Sequence, residues 1–225
     1  MSVAVIADSH LGGPGGAGDD FIAQLRALPA RGCSRLILLG DIFHVWVGSR
    51  KFETPEIRRV VPEIRRLRSE GVAVEYVEGN RDFFLTGSPY ADAFDRICLE
   101  TSFESGGRRY LCVHGDGLND KDRQYLFWRW LSKSPPVRAL VLGLPGSLAQ
   151  RAVGSAEKKL AGTNFKHRTH IPKAPISAYA ERRFQEGFDA LLLGHFHEPH
   201  DWPVEGGDVH LLDAWFRSRR VEVFR

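Results

Sequence analysis

The chain has few of the features that mark secreted or membrane-spanning proteins. It contains only three cysteines in 225 residues, Cys33, Cys98 and Cys112, and none of them forms a CxxC pair. This odd number of thiols predicts a reducing compartment, with the cysteines serving as small apolar core residues. No apolar run approaches the roughly 18 residues of a transmembrane helix. The first apolar run ends at Asp8 and is too short for a signal peptide. We therefore expect a cytoplasmic protein.

A phosphate-cradling loop is also absent. The glycine-rich stretch LGGPGGAGDD lacks the Lys-Ser/Thr pair of a P-loop, so it predicts only a connecting loop.

Net charge is low overall but unevenly distributed. The chain carries a net charge of +3, whereas residues 117–175 alone contain 11 Lys and Arg against 3 Asp and Glu. That segment is thus +8 and the remainder is −5. A basic segment on an acidic body predicts an anionic partner. A solvated helix face explains the charge equally well.

Short apolar runs alternate with helical patterns. Five runs, each ended by Gly, Asp, Asn or His, predict buried strands at 2–8, 35–41, 72–80, 110–116 and 190–195. A helix is predicted after Thr54, with Pro55 in its first turn and Gly71 at its end. A shorter helix is predicted at 19–28. The segments DVHLLDAWF and RRVEVFR predict a closing hairpin.

Each predicted strand ends in residues that can bind metals. In α/β folds, ligand sites lie beyond the carboxyl ends of strands, so these side chains should meet. Carboxylates, imidazoles and an amide oxygen suit Mn, Fe, Zn or Mg. Seven candidates are too many for one ion and suit two. Each motif alone is weak, but the five in order predict a two-metal site formed by Asp8, His10, Asp41, Asn80, His114, His195 and His197.

Five blocks carry a family resemblance: DSH, GDIFH, GNRD, HGD and GHFH resemble those of the calcineurin-like metallophosphoesterase superfamily. The resemblance implies one α/β domain over 1–225, a four-layer sandwich of two mixed β-sheets flanked by helices. It also implies a helical lid insertion at about 117–175. His44 stands where the family usually has an acid, so we expect tuning of the site rather than its loss.

The resemblance also implies residue roles. Asp8, His10 and His197 would hold one ion, Asn80, His114 and His195 the other, and Asp41 would bridge them. A hydroxide between the ions would attack phosphorus in line. The implied catalytic residues are Asp41, Asn80, Arg81 and His114. Mn²⁺ fits the family and the donor set, with Fe, Zn and Mg as alternatives.

Arg81 follows the asparagine where most of the superfamily has a histidine. GNRDF looks like the version in the UDP-2,3-diacylglucosamine hydrolases, the pyrophosphatases of lipid A synthesis. A forked guanidinium suits a substrate with two adjacent phosphoryl groups. It does not give up its proton at neutral pH. That is tolerable when the leaving group is a phosphate ester such as UMP. The alternative is a simple surface salt bridge.

The segment after HGD predicts a lid rich in apolar and basic residues. Tyr125, Leu126, Trp128 and Leu131 predict one helix face, which Phe127 and Trp130 widen. Such a helix suits contact with anionic lipid, and the alternative is a lid packed on its own domain. By resemblance, Asp122 would contact the glucosamine. Lys158 and Lys159 would replace a Ser-Lys-rich stretch that binds the nucleotide sugar.

The expected reaction is cleavage of UDP-2,3-diacylglucosamine to UMP and 2,3-diacylglucosamine 1-phosphate. It would take place on the cytoplasmic face of the inner membrane, by peripheral contact and with no obligate protein partner. One alternative is a phosphodiesterase or nuclease, although the leucine-rich basic segment lacks the stacking pattern of single-strand binders. The other is a metal-free scaffold, which would lack ligands, whereas all seven are present.

Overall fold

The computed structural model describes residues 2–13, 17–148, 150, 151, 155 and 171–225. The strands of this part are β1 Ser2–Ile6, β2 Cys33–Leu39, β3 Trp46–Val47, β4 Ala73–Val77, β5 Asp82–Phe83, β6 Arg96–Cys98, β7 Glu100–Ser105, β8 Arg108–Val113, β9 Ala190–Leu193, β10 His200–Val204, β11 Gly207–Leu211 and β12 Glu222–Phe224. Its α-helices are α1 Gly18–Ala27, α2 Pro55–Ser69, α3 Arg123–Ser132, α4 Pro135–Gly143, α5 Lys173–Gln185 and α6 Trp215–Ser218. Three short 3₁₀ turns lie at Pro29–Arg31, Arg50–Phe52 and Ala91–Ala93.

The strands form two mixed five-stranded sheets and a small two-stranded one. Sheet 1 has the order β12-β1-β2-β4-β6, with β12 antiparallel to β1 and the other neighbours parallel. Sheet 2 has the order β10-β11-β9-β8-β7, with β10 and β7 as antiparallel edges. β3 pairs with β5 in parallel. Since the central strands are parallel in both sheets, their carboxyl ends share one edge in each.

Three apolar clusters set the layers. One face of sheet 1 packs on α1 and α2 through residues such as Leu36 and Ile64. The other faces sheet 2 through a cluster that includes Ile37 and Leu192. The far face of sheet 2 packs on α5 around Phe184. Alternation of side chains along each strand places successive residues in different layers. The predicted four-layer α/β sandwich is therefore confirmed.

Helix α2 follows its sequence signals closely. The Thr54 hydroxyl accepts a hydrogen bond from the Ile57 N–H at 3.3 Å, and Gly71 takes a φ of +87° beyond the last turn. Apolar residues recur at helical spacing along one side of α2 and form a stripe that is buried against sheet 1; they are Ile57, Val60, Val61, Ile64 and Leu67. The outer arginines all pair with acids, so this face is not an open anion-binding surface; the arginines are Arg58, Arg59, Arg65, Arg66 and Arg68.

The predicted closing hairpin is wrong. β11 pairs with β9 in sheet 2, whereas β12 pairs with β1 in sheet 1. Between them Ala214 and Trp215 are fully buried and α6 forms. Burial of this apolar stretch carries the chain from one sheet to the other, and a tight turn between neighbouring strands would expose it.

The segment predicted to form a lid lies between β8 and α5. Helices α3 and α4 contain no buried residue, but Val141, Leu142 and Leu144 pack on Val47 and Phe52 of the body. The predicted substrate-binding residues Lys158 and Lys159 lie outside the described residues. In the described part of the chain, no helix is both long enough and apolar enough to span a bilayer.

Candidate metal centre

The seven predicted ligands come from the ends of five strands in two facing sheets. Sheet 1 supplies Asp8 and His10 after β1, Asp41 after β2 and Asn80 after β4. Sheet 2 supplies His114 after β8, and His195 and His197 after β9. Because the sheets face each other, the two sets of side chains meet at one edge of the sandwich.

One group consists of Asp8, His10 and His197, and all three are buried. The Nε2 atoms of the two histidines lie 3.1 Å apart. Asp8 Oδ1 lies 3.1 Å from His197 Nε2 and 3.7 Å from His10 Nε2. Two ring nitrogens this close suit neighbouring positions around one ion, since metal–imidazole bonds are about 2.0–2.1 Å long.

The second group is built around Asp41, Asn80, His114 and His195. Asn80 Oδ1 lies 3.3 Å from His114 Nε2 and 3.0 Å from His195 Nδ1. His114 Nε2 lies 3.7 Å from Asp41 Oδ1. Ligand atoms of Asp8, Asp41 and His114 also lie within 4.8 Å of one another, which joins the two groups.

Glycines let these side chains approach the backbone. A Cβ on Gly194 would lie 2.6 Å from Asp8 Oδ2, and one on Gly79 would lie 2.9 Å from His114 Nε2. A Cβ on Gly40 would collide with the ring of His114. These glycines directly precede His195, Asn80 and Asp41 in the chain. The Gly-X pattern of the motifs is therefore a packing requirement of the centre.

The backbone is held in an unfavourable conformation at the same place. Of the seven non-glycine residues with positive φ in the described ranges, five are predicted ligands: Asp8, His10, Asp41, His195 and His197. Their φ values lie between +44° and +67°. Such left-handed conformations are costly for residues with a side chain and concentrate at functional sites.

Hydrogen bonds orient the imidazole of His114. Its Nδ1 lies 3.0 Å from the carbonyl oxygen of Leu39, which can only accept, so Nδ1 carries a proton. Nε2 is then the atom that faces Asp41 and Asn80. A carbonyl oxygen that accepts from the ring nitrogen facing away from the metal fixes the tautomer of a metal-binding histidine. Burial would lower the pKa of His114, but the negative charges of Asp41 and Asp8 raise it to about 9.

Burial and neighbouring charges shift the pKa values of the other groups in different directions. Burial raises the pKa of Asp41 to about 6, against the opposing charge of His114. Burial alone would raise the pKa of Asp8, but the hydrogen-bonded ring of His197 brings it well below its usual range. Burial and the charge of His114 lower the pKa of His195 to about 3, so its ring stays neutral. The cluster thus combines an ionised carboxylate at Asp8, a neutral imidazole at His195 and an imidazole at His114 that holds its proton more strongly than usual.

This donor set fits divalent cations. Asp8 and Asp41 are 0% and 1% exposed, and buried carboxylates are costly unless cations or hydrogen bonds compensate them. Histidine nitrogens and carboxylate or amide oxygens supply borderline-to-hard ligands, with no thiolate among the residues of the centre. Together the two groups offer candidate ligands for divalent metal ions.

Comparisons with known proteins agree with this geometry. The sequence profile of the family described as calcineurin-like phosphoesterase matches residues 1–199. This chain belongs to that family. It is 30% identical to a UDP-2,3-diacylglucosamine hydrolase of Chromohalobacter salexigens, over 99% of this chain and 92% of that protein. It is also 30% identical to one of Yersinia pseudotuberculosis, over 96% of this chain and 91% of that protein.

Solved structures also resemble this chain, at low identity. A protein of unknown function from Aquifex aeolicus is 15% identical, with 99% of this chain and 95% of that chain covered and a TM-score of 0.49.

Membership of the phosphoesterase family, together with relatives named as hydrolases, makes the chain a metal-dependent phosphohydrolase. This sets aside the metal-free scaffold.

Arg81 lies beside the phosphoesterase centre. Its Nε is 3.5 Å from Asp41 Oδ2, and its backbone N–H donates to Asp41 Oδ1 at 2.8 Å. Its guanidinium also donates to the carbonyl oxygen of His44 at 3.1 Å. The His44 ring stands edge-on to His10, with 6.4 Å between centroids. Arg81 thus lies next to the candidate ligand Asp41 and is largely buried, with its side chain 12% exposed.

Asp122 begins helix α3. Its Oδ1 accepts a hydrogen bond from the Tyr125 N–H at 3.0 Å, as an N-cap residue does. The structure places Asp122 at the N-terminus of α3, and its predicted contact with the glucosamine stays a prediction.

Asp82 is a further buried residue of the site, beyond those that the motifs predict. It is 0% exposed, and its Oδ2 accepts from the backbone N–H of Gly79 at 2.7 Å and of Asp41 at 3.1 Å. The Tyr76 hydroxyl donates to its Oδ1 at 2.8 Å. Asp82 therefore ties the β2 and β4 ends together. The sequence feature that points to Asp82 is its place as the acid of the GNRD motif, two positions after Asn80.

Asp116 is a second such residue, and it holds helix α3. It accepts hydrogen bonds from Arg129 Nε at 2.5 Å and from the Tyr125 hydroxyl at 3.0 Å. One turn further on, Lys133 Nζ donates to the carbonyl oxygen of Gly79 at 2.7 Å. The inner face of α3 is thus joined to the loop after β8, which carries His114, and to the loop after β4, which carries Asn80. The third residue of HGD was the available signal.

Proposed function

We propose that this phosphoesterase cleaves the pyrophosphate of UDP-2,3-diacylglucosamine, giving UMP and 2,3-diacylglucosamine 1-phosphate. The observation that carries the proposal is similarity over almost the whole chain to relatives of that name, with 30% identity across 99% of the sequence. The proposed unit is a single domain over 1–225, with a lid at about 117–175.

The proposed centre holds two Mn²⁺ ions. Asp8, His10 and His197 would hold one ion, Asn80, His114 and His195 would hold the other, and Asp41 would contribute to both. When bound, the ions supply Lewis acidity and an activated water for attack on phosphorus. The burial of this cluster and the 3.1 Å spacing of His10 and His197 support the assignment.

Arg81 is proposed to bind a phosphoryl oxygen of the substrate. Its guanidinium is close to Asp41, the residue assigned to both ions, and its side chain is 12% exposed. A planar fork beside the centre can hold one phosphate while its neighbour is attacked. Because arginine keeps its proton, it stabilises charge and does not protonate the leaving group.

The lid is proposed to bind the rest of the substrate. Asp122 would contact the glucosamine, and Lys158 and Lys159 the nucleotide. Attachment of α3 through Asp116 and Gly79 supports a lid that lies directly over the centre.

The outer side of the lid is proposed to rest on the anionic cytoplasmic face of the inner membrane. Phe127, Trp128 and Trp130 are 54–66% exposed, and Leu140 and Leu148 are 62% and 52% exposed. Exposed lysines and arginines lie among them, as an interfacial surface for anionic lipid requires. The inward direction of Arg129 and Lys133 leaves these rings on the outer side.

The substrate proposal is tested by hydrolysis of UDP-2,3-diacylglucosamine with Mn²⁺, with products identified by mass. We expect UMP and the acylated sugar phosphate from the wild type. Asp41→Asn should abolish turnover, and Arg81→Lys should weaken it, since it keeps the charge but loses the fork. Arg65→Ala is the matched control, because Arg65 pairs with Asp92 on the far face of α2.

A second arm of the assay uses a generic phosphodiester and a single-stranded oligonucleotide. Turnover of these, without turnover of the nucleotide-sugar lipid, would contradict the proposed substrate and leave the phosphohydrolase intact. An equal loss of activity in Arg81→Lys and Arg65→Ala would contradict the proposed binding of a phosphoryl oxygen by Arg81.

The membrane proposal is tested by cosedimentation with vesicles. Wild type should bind vesicles that contain phosphatidylglycerol more than those of phosphatidylcholine alone. Trp130→Ser should weaken that binding, whereas Leu99→Ser should not, although Leu99 is 58% exposed elsewhere on the surface. Equal binding by both variants would refute the assignment of this surface. Concentration-dependent self-association lost in Trp130→Ser alone would assign it to a second copy of the chain.

A further inference from the structure

The C-terminal helical turn α6 lies against one half of the metal centre. Phe216 places its ring edge-on to His10, with 5.5 Å between centroids, and edge-on to His197, with 5.2 Å. It is half-buried, so one side covers the two imidazoles and the other faces solvent. Its described ring contacts are with this pair and not with His114 or His195.

The backbone of the same turn holds the ligand segments. The N–H of Trp215 donates to the carbonyl oxygen of Ala7 at 3.0 Å, and the N–H of Phe216 donates to that of Asp8 at 3.2 Å. Arg217 donates from its guanidinium to the carbonyl oxygen of His197 at 3.0 Å. The end of β1 and the segment after β9 are thus joined through α6.

The turn itself is firmly anchored. Trp215 is fully buried, stacks edge-on with Phe21 at 5.0 Å and donates from Nε1 to Gln24 Oε1 at 3.0 Å. The guanidinium of Arg219 lies 4.6 Å from the centroid of its ring. Helix α1 therefore provides a rigid support from which Phe216 extends.

We propose that Phe216 is a positioning residue that sets the metal affinity of the Asp8–His10–His197 half. Edge-to-face contact restricts the two imidazole planes, and the ring excludes water from one side of them. Ligand orientation by surrounding residues commonly governs metal affinity by about 10–100-fold. The inference rests on the proposed two-metal centre but not on the proposed substrate.

The test is Mn²⁺ binding to metal-stripped full-length protein, measured by calorimetry and by electron paramagnetic resonance of free Mn²⁺. Phe216→Ala should weaken the binding affinity for one of the two Mn²⁺ ions by about 10–100-fold. Phe216→Tyr should retain the wild-type affinity, because the aromatic ring that contacts His10 and His197 is kept. Phe224→Ala is the matched control, since this half-buried aromatic contacts Phe103 and Tyr110 far from the centre.

Two backgrounds identify the affected half. In His114→Ala, the Asp8–His10–His197 half is retained, and adding Phe216→Ala should remove most of the remaining affinity. In His197→Ala, the other half is retained, and Phe216→Ala should have no effect. Equal weakening in both backgrounds, or none in either, would overturn the proposal. Melting temperatures of the metal-free variants separate this from general unfolding.

The outcomes also separate this inference from the proposed function. Two bound Mn²⁺ without turnover of UDP-2,3-diacylglucosamine would overturn the substrate and leave the role of Phe216 standing. A wild-type chain that binds no Mn²⁺ would overturn both.

Discussion

Replacement of Asp82 by alanine should destabilise the fold and the metal centre together. The change removes the acceptor for the backbone N–H groups of Asp41 and Gly79, which lie 3.1 and 2.7 Å from Asp82 Oδ2. Each buried donor left without an acceptor costs about 1–3 kcal/mol, so the two cost roughly 2–6 kcal/mol. This is a large fraction of the roughly 5–15 kcal/mol by which domains are stable.

Asparagine at the same position should be much milder. Its amide oxygen can accept both backbone bonds, and its NH₂ can donate to the Tyr76 hydroxyl, which accepts as well as donates. Only the charge assistance of the bonds is lost, roughly 1–2 kcal/mol in total. Removal of the negative charge that raises the pKa of Asp41 partly offsets this loss.

Thermal unfolding and Mn²⁺ titration check both expectations. For a chain of this size about 1 kcal/mol corresponds to roughly 2–4 °C, so Asp82→Ala should melt roughly 5–20 °C lower. Its Mn²⁺ affinity should fall as well, because Asp41 and Asn80 lose their fixed backbone. Asp95→Ala is the control: Asp95 accepts from the Val74 N–H at 2.7 Å but is exposed, so water can replace it. Wild-type melting and metal affinity in Asp82→Ala would refute this reasoning.

Three further predictions concern packing, thiols and metal removal. Gly79→Ala places a methyl group 2.9 Å from His114 Nε2. Calorimetry should then show weaker Mn²⁺ binding, and thermal melting should show a loss of about 1–3 kcal/mol in the free energy of unfolding. Gly143→Ala is the control and should change neither quantity, because the space around Gly143 is open. Burial raises the pKa of the Cys112 thiol, so a thiol reagent should modify half-buried Cys98 first and Cys112 only after urea unfolding. Chelation should lower the melting temperature, since an ion at 100 times its Kd stabilises by about 2.7 kcal/mol; identical scans with and without chelator would contradict the two-metal proposal.

The sequence predicts where the candidate ligands lie in the fold because strand ends are local signals. A short apolar run that stops at Gly-Asp or Gly-Asn marks both the strand and the residue beyond it, as at Asp41 and Asn80. Helix α2 was predicted equally well, since its cap, stripe and terminal glycine lie within a few residues of one another. Such features need no knowledge of long-range contacts.

The rest depends on contacts between distant positions. Asp82 acquires its role from the N–H of Asp41, 41 positions earlier in the chain, and Phe216 acquires its own from His10. The hairpin prediction failed for the same reason, because pairing of β12 with β1 joins the two ends of the chain. The edge strands β7 and β10 carry exposed polar residues and gave no apolar run to detect.

The candidate ligands come from both sheets, and this has a consequence for local unfolding of the two sheets. Asp8, Asp41 and Asn80 belong to sheet 1, while His114 and His195 belong to sheet 2, and mainly apolar contacts fill the space between them. Ions bound across this gap would act as crosslinks between two units that can otherwise fluctuate separately. Amide hydrogens of β2 and β9 should then exchange through one shared opening event in the metal-loaded protein, and through separate events in the stripped protein.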